Sequence, residues 1–478
     1  MNEAFLDPLP WLIVLPLAWA SLAFLSGGER GGRWAVVGVA MQLTLALALA
    51  GEVMAEGARV HTVGGWGAPL GIDLQADGLA VAMLLLAQGV ALPLAVYARA
   101  YFSEVNQVHF WPLAGFLLAA LNALFLSADL FNLYVTLELL SLAAVGLVAL
   151  GGKPFQVAAA LRYLLVSLTA SGAYLMGVAL IYGAYGTVSI ATLAPQLPGD
   201  PPLLTWLAAG LMLAGLLAKT ALFPLHFWLP PAHGGAAAPV SALLSALVVK
   251  ASYYLILRLA LDVFPSLADS AAPALGLLGA AAILWGSWQA LQTPHIKMLV
   301  AWSTVAQLGY LFLVFPLLAP DGLALQAGVT QAIAHGLAKA AMFAAVGVLM
   351  LATGRDTLEG LAGVAGRVPV TLFAFALAGV TLMGLPPSGG FLAKWQLIEA
   401  ALSHGQWPWV AVVIGGGLLA AAYVFKVLRQ AFLLAPEDSR FQPVPRAMEW
   451  TAFALAAASV VLGLRGVELM ELLARGAA

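Results

Sequence analysis

The chain has 478 residues, 63% of them hydrophobic and 9% charged, with a formal net charge of −2. Soluble domains carry about 25% charged residues, so this is a polytopic membrane protein, and its helix-length apolar runs exclude an outer-membrane barrel. The lack of cysteine excludes disulfides, iron–sulfur ligation and thiol nucleophiles, and the small net charge gives no footprint for nucleic acid.

In chain order, apolar runs of spanning length predict about fourteen helices in an all-α fold. Their cores lie near 9–27, 33–52, 78–98, 109–127, 130–150, 159–184, 203–224, 235–260, 272–292, 297–317, 325–352, 369–402, 409–432 and 447–465. Met1-Asn2-Glu3 and Asp7 precede the first run and carry no basic charge, so it reads as a true first helix, not a cleaved signal. After the second run, Arg59-Val60-His61-Thr62-Val63 alternates and leads into Gly64-Gly65-Trp66, which predicts a small hairpin.

With alternating helices, twelve Lys and Arg fall on one face, Lys297 among them, against four on the other: Arg59, Arg258, Arg465 and Arg475. The richer face is the cytoplasmic one. The expectation is a bacterial-type inner membrane protein with both termini and the hairpin outside.

Two helices read as discontinuous. In the seventh, Lys219-Thr220-Ala221-Leu222-Phe223-Pro224 leads towards Pro230-Pro231. In the twelfth, Gly384-Leu385-Pro386-Pro387-Ser388-Gly389-Gly390 precedes Lys394. Proline opens the helix ladder, and inside a bilayer such breaks survive only when buried or lining a polar cavity. Matched breaks in two halves point to inverted repeats around a central site. The expected division is an N-terminal unit of three helices and the hairpin (1–108), a first five-helix repeat (109–262), a second (263–435) and a last helix (436–478).

The remaining four lysines, Lys219, Lys250, Lys339 and Lys394, sit inside apolar runs, where a charge costs at least ~2.5–3.5 kcal/mol on insertion scales. The simplest reason to keep them is a charge that moves past, and protons fit best. Glu138 is mid-helix with no basic residue three or four positions away, so its partner comes from another helix, with Lys219 the obvious candidate. Such a pair either fixes packing or acts as a switch. Lys250 lies at the centre of the eighth helix. His335 and Lys339, spaced i, i+4, share a helix face and suit a relay; the bland alternative is a histidine bonded to a backbone carbonyl. Lys394 follows the second break, as a last proton holder. His226, His233, Glu399 and His404 are candidate groups for uptake or release, with capping or interfacial roles as the plain alternative. Ser167, Ser241, Ser303, Gln307 and Tyr310 could order water between the charges. No Walker motif, dinucleotide fingerprint or metal cluster is present, so no cofactor or metal is expected.

These residues resemble the proton-conducting antiporter-like membrane subunit family. The resemblance rests on Tyr134-Val135-Thr136-Leu137-Glu138, on the stretch from Lys219 to Pro230, and on Ala237-Ala238-Pro239-Val240-Ser241-Ala242-Leu243-Leu244-Ser245 with Lys250. It continues in Pro294-His295-Ile296-Lys297-Met298-Leu299-Val300-Ala301-Trp302-Ser303-Thr304, in Gly64-Gly65-Trp66 with Gly71-Ile72 and Asp77, and in Gly384-Leu385-Pro386-Pro387 with Gly390-Phe391 and Lys394. It covers nearly the whole chain. It implies fourteen helices, two inverted five-helix repeats and a central hydrated charge axis. In that scheme Glu138 and Lys219 form the coupling pair, Lys250 is the central lysine and Lys394 the terminal one. The family includes Mrp-type cation/proton antiporters, respiratory complex I subunits and relatives in membrane-bound hydrogenases. Lysine at 394 argues against the complex I subtype with glutamate there, and the short tail argues against the subtype with a lateral helix. The chain looks most like the D-type component of an Mrp antiporter, with the N-type component of complex I and hydrogenase equivalents close. Implied partners are other membrane subunits, protons, sodium and the lipid bilayer. Two further readings are a secondary carrier of an organic solute, which needs a substrate-sized cavity, and a scaffold that no longer conducts.

Overall fold

The structure, a computed structural model, describes residues 7–69, 71–437 and 440–475; Met1-Asn2-Glu3 lie outside them. The helices are α1 (Pro8–Ser26), α2 (Gly28–Glu56), α3 (Gly78–Tyr101), α4 (Glu104–Leu126), α5 (Leu130–Ala149), α6 (Pro154–Tyr185), α7 (Leu203–Gly235) and α8 (Ala238–Val263). They continue as α9 (Pro265–Gln292), α10 (Ile296–Leu317), α11 (Leu323–Thr353), α12 (α12a Pro369–Met383, α12b Gly389–Ser403), α13 (Trp407–Ala431), α14 (Arg446–Leu464) and α15 (Gly466–Arg475).

Among the described residues, thirteen of these are long and apolar enough to cross a membrane. The fourteenth span is α12. Each of its halves has 15 residues, which is about 22 Å at 1.5 Å per residue, short of a ~30 Å hydrocarbon core. Both halves lean on the same three helices, α11, α13 and α14, so together they make one interrupted span. The segment α15 is not expected from the sequence. It is amphipathic and packs on α2 and α3, where Gly78 lies so close to the Leu472 carbonyl that a Cβ would sit 2.2 Å away.

The two breaks share one local geometry. In α7, the piece α7a (Leu203–Thr220) ends at Ala221, left-handed at φ 58°. Leu222 N–H then bonds back to Leu217 O at 3.2 Å. In α12, Gly384 is left-handed at φ 81°, and Leu385 N–H bonds to Val380 O at 3.1 Å. Each is a helix stop in which the second residue past the end reaches five positions back. Each continues through Leu into an X–Pro bond, Phe223-Pro224 or Pro386-Pro387. The chain then re-enters helix as α7b (Leu229–Gly235) or as α12b, where the Ser388 hydroxyl accepts from Phe391 N–H at 3.2 Å. The breaks lie five helices apart, and an odd offset in an alternating bundle runs them in opposite directions.

Helices α8, α10 and α11 are almost wholly enclosed, whereas only about a third of the residues in the spans of α1, α2, α13 and α14 are buried. Strongly polar groups belong on helices that never meet lipid. Two π-helical turns, Leu244–Val248 and Leu259–Val263, interrupt α8.

The expected hairpin is present as β1 (Arg59–Thr62) and β2 (Asp73–Ala76), antiparallel with Arg59 opposite Ala76. Its β2 bridges Ser127 through Leu74, and Asp129 bridges Ser189, so the loops at this face are stitched together. Two residues counted with the loops in the charge tally are not in loops. Lys297 is the second residue of α10 and is buried. Arg258 lies inside α8 and is clamped by Asp77, the N-cap of α3, and by Asp262 at 3.2 Å. Without them the tally is eleven against three, so the charge asymmetry survives. A helix boundary read from hydropathy does not show which side chains turn inward, and that is why both are misassigned.

Candidate functional site: a file of buried lysines

Lys219 is the penultimate residue of α7a, where the stop at Ala221 leaves its side chain facing α5 and α6. Its Nζ donates to Glu138 Oε1 at 3.2 Å, Ser141 Oγ at 2.7 Å and Ser167 Oγ at 2.8 Å. All three ammonium protons are thereby used. Glu138 and Ser141 are i, i+3 on α5, so one helix face supplies two of the three acceptors. Glu138 is partly exposed and borders the outward-facing Val135, Leu139 and Leu142. The pair therefore stands at one edge of the molecule.

The next residue, Thr220, carries the connection to α8 through Ser252 Oγ at 2.9 Å. Lys250, fully buried, donates to Ser245 O of its own helix. Ser245 lies in the first π-turn, and its hydroxyl meets Thr304 Oγ1 of α10 at 2.9 Å. Lys339 of α11 donates to Val300 O and to Ser303 Oγ (2.8 Å) of α10. Thr304 Oγ1 donates to the same Val300 O at 3.2 Å. Lys339 thus bonds directly to α10, and Lys250 is joined to the same turn only through Ser245, whose carbonyl it meets and whose hydroxyl meets Thr304.

One turn further along α10, Gln307 Nε2 donates to Leu382 O of α12a at 3.2 Å. Leu382 O also accepts from Lys394 Nζ at 2.6 Å. That carbonyl is free because the break at Gly384 removes its helical partner. The ammonium of Lys394 also lies 4.3 Å from the Tyr310 ring centroid. Gln307 accepts in turn from Gln331 of α11 at 3.2 Å. Beside Lys394, a cavity of about 260 Å³ between α12 and α13 is lined by Leu385, Trp395 and Leu418 among others, all three exposed on the outer surface. Lys394 therefore stands at the opposite edge of the file from Glu138.

Serine, threonine and glutamine at 303, 304 and 307 form a stripe along α10: Ser303 meets Lys339, Thr304 meets the hydroxyl of Ser245, whose carbonyl holds Lys250, and Gln307 shares the Leu382 carbonyl with Lys394. The sequence alone singles out Ser303, Gln307 and Tyr310 but not Thr304, Ser245, Ser252 or Ser141. The i, i+4, i+7 spacing of Ser303, Gln307 and Tyr310 is the available signal. Ser241, also singled out, bonds only to the backbone carbonyls of His233 and Ala237.

His335 is enclosed within electrostatic reach of Lys250, Lys339 and Lys394. Neither of its ring nitrogens has a protein partner, so it is not the carbonyl-bonded histidine of the bland alternative. His233 of α7b is equally enclosed, with both nitrogens unpartnered and its ring 5.2 Å from that of Phe343. The Lys339 ammonium lies 5.1 Å from the same Phe343 ring. His226 is apart from these, stacked on Phe223 at 5.4 Å and edge-on to Trp302 at 5.5 Å. Both His226 and His233 are buried within the protein. Glu399 is exposed, and His404 pairs loosely with Asp321 at 3.9 Å; neither is brought into the bonded network of Lys394.

Of the four intramembrane lysines, Lys219 alone has a carboxylate partner within 4 Å among the described residues. The other three rest on carbonyls, hydroxyls and a ring. An uncompensated buried ion costs several kcal/mol even after relaxation. A file of such groups therefore favours few charges at once, and a proton added to one repels a proton on the next.

Comparison with known proteins agrees with this architecture. The family model described as "NADH:quinone oxidoreductase/Mrp antiporter, TM" matches residues 127–420. NADH-quinone oxidoreductase subunit N of Desulforudis audaxviator is 38% identical over 80% of this chain and 78% of its own length. The D-type component of the Na(+)/H(+) antiporter of Alkalihalophilus pseudofirmus is 31% identical over 90% of this chain and 87% of its own. A chain in the structure of the Mrp complex from Dietzia sp. superposes with a TM-score of 0.92 at 28% identity, covering 98% of this chain and 96% of that one. The chain belongs to the NADH:quinone oxidoreductase/Mrp antiporter transmembrane family.

Proposed function

We propose that this chain is the proton-translocating subunit of a multisubunit membrane complex, with the D-type component of an Mrp-type Na+/H+ antiporter as the leading assignment. The observation that carries the reading is the file from Glu138–Lys219 through Lys250 and Lys339 to Lys394, connected by hydroxyl and amide groups of α8 and α10. Lysine ammoniums on neutral acceptors can pass a proton along water and hydroxyls without any large movement. His335, with two free nitrogens among three lysines, adds a group able to accept on one side and donate on the other. The Glu138–Lys219 pair acts as the switch: when the carboxylate is neutralised, Lys219 keeps only two serine acceptors.

The repeat division at 109–262 and 263–435 is supported by the shared geometry of the two breaks. Placement in a bacterial-type inner membrane, with both termini outside, rests on the Lys/Arg asymmetry. Partner subunits and sodium follow from the names of the relatives.

The 38% identity to an N-type component of NADH-quinone oxidoreductase supports a second reading, a redox-driven proton pump of the complex I or hydrogenase type. Inside-out vesicles holding the chain with its full set of partner subunits separate the two. They are energised by a proton gradient with no redox substrate, and wild type is compared with Lys219→Ala. Sodium-dependent collapse of the gradient that disappears in the variant supports the antiporter. A gradient indifferent to sodium moves the assignment to the redox pump. An organic-solute carrier requires a substrate-sized cavity with selective polar groups, and the lysines of the file are instead held by carbonyl, hydroxyl and carboxylate groups of the protein.

A further inference from the structure

Lys297 belongs to neither the bonded file nor the loops. It occupies the first turn of α10, where the helix dipole disfavours a cation, and it is buried. Its Nζ donates to Ala236 O, in the two-residue turn between α7b and α8. Three residues before Ala236 on the same short piece is His233, whose ring lies 5.2 Å from that of Phe343, the ring that the Lys339 ammonium faces at 5.1 Å. Asp356, a carboxylate exposed in the loop after α11, accepts through its backbone carbonyl from the N–H of Ile296, the residue before Lys297, at 2.9 Å. Asp356 Oδ2 lies 3.0 Å from His295 Nδ1, and both side chains are about half exposed. From the basic face inward, the order is therefore an exposed carboxylate and imidazole, a buried lysine, a buried imidazole with two free nitrogens, and the lysines of the file.

We infer that Asp356, Lys297 and His233 form the proton uptake branch from the basic face, with Lys297 as its obligatory carrier, joining the file at Lys339. Asp356 collects the proton from water and passes it to the amine of Lys297. The resulting ammonium gives it, across intervening water, to one ring nitrogen of neutral His233. The other nitrogen then releases a proton towards Lys339, and His233 is left in its second tautomer until the ring turns. This branch rests on the proton-translocation reading and names where its protons come in.

A plain alternative is that Lys297 merely clamps α10 to the turn before α8. Arginine separates the two, because guanidinium keeps the charge and the donor but does not give up its proton in a protein. The experiment measures transport rate per assembled complex in vesicles for Lys297→Arg, His233→Ala and Lys250→Met, with Asp356→Asn for the outer step. Lys297→Arg is expected to assemble normally and transport at least about ten-fold more slowly, equivalent to ~1.4 kcal/mol of barrier. His233→Ala is expected to be slow and to recover on addition of millimolar imidazole, which a packing role does not allow. Wild-type rates in Lys297→Arg with loss in Lys250→Met overturn the uptake branch and leave translocation standing. Wild-type rates in both overturn the translocation reading itself. If Lys297→Arg fails to assemble, imidazole rescue of His233→Ala decides: recovery supports the branch, and no recovery overturns it.

Discussion

The side chain of Lys394 lies across the α-carbon of Gly384. A Cβ added at 384 would stand 2.5 Å from Lys394 Cδ and 3.4 Å from its Cε. Glycine there does two things: it adopts φ 81° to end α12a, and it leaves room for the lysine that closes on Leu382 O. The corresponding position in α7 is Ala221, where a methyl is tolerated because Lys219 points towards α5 and α6.

Gly384→Ala is therefore expected to displace the Lys394 ammonium from Leu382 O and to strain the stop by about 1–2 kcal/mol. Transport in vesicles should fall about ten-fold or more while the complex still assembles. Ala221→Gly is the matched control and should leave transport within about two-fold of wild type, since only about 1 kcal/mol of left-handed strain changes. Equal losses in both would show that the breaks matter as hinges and not through the lysine.

At the other edge, Glu138→Gln keeps the shape of the pair and removes its charge. Coupled transport should be lost, with the Lys219→Ala single variant and the double variant no worse, because residues acting as one unit are not additive. Ser141→Ala and Ser167→Ala each remove one neutral acceptor, worth about 1 kcal/mol, and should only slow transport. If the charge variants fail to assemble, the pair is a brace and not a switch.

Gln307→Leu tests the stripe on α10. It breaks the contacts to Leu382 O and to Gln331 and places apolar surface between Lys339 and Lys394. Proton flux should fall about ten-fold or more with Lys394 still in place. Gln307→Glu should retain part of the flux, since it keeps a polar group that can hold water.

The Arg258–Asp77 pair provides a structural contrast. Arg258 Nε also donates to Tyr254 Oη at 2.9 Å, and Tyr254 donates to Phe125 O at 2.7 Å, so the cluster ties α8 to α3 and α4. Removing one partner of a buried pair costs about 3–5 kcal/mol. Arg258→Leu should lower the thermal unfolding temperature in lipid nanodiscs, and the molecules that do assemble should transport normally. Normal stability with lost transport would make this cluster part of the pathway.

Much of this is legible in the sequence. Apolar runs mark every spanning helix to within a few residues at most ends, and Pro-containing motifs mark both breaks. Lysine in an apolar run marks four of the buried cations, because a charge inside hydrocarbon is rare enough to notice in one dimension. The same rule misses Lys297, which sits at the end of a run where lysine is ordinary. It misses the amphipathic α15, whose apolar face is too narrow for a span. Serines and threonines are common in any membrane helix, so those that contact lysines cannot be told from the rest.

The sequence by itself determined that the chain spans a membrane about fourteen times, that two spans are interrupted, and that Glu138 needs a partner from another helix. Spacing and hydropathy are local properties, and these conclusions are local. Only the tertiary structure decided which acceptor each lysine meets, that α10 carries the stripe between them, and that His233 and His335 keep their ring nitrogens unpartnered. Those facts depend on which faces of α5, α6, α8, α10, α11 and α12 turn towards one another. Residues up to 81 positions apart make these contacts, and no periodicity within one helix encodes the rotation of its neighbour.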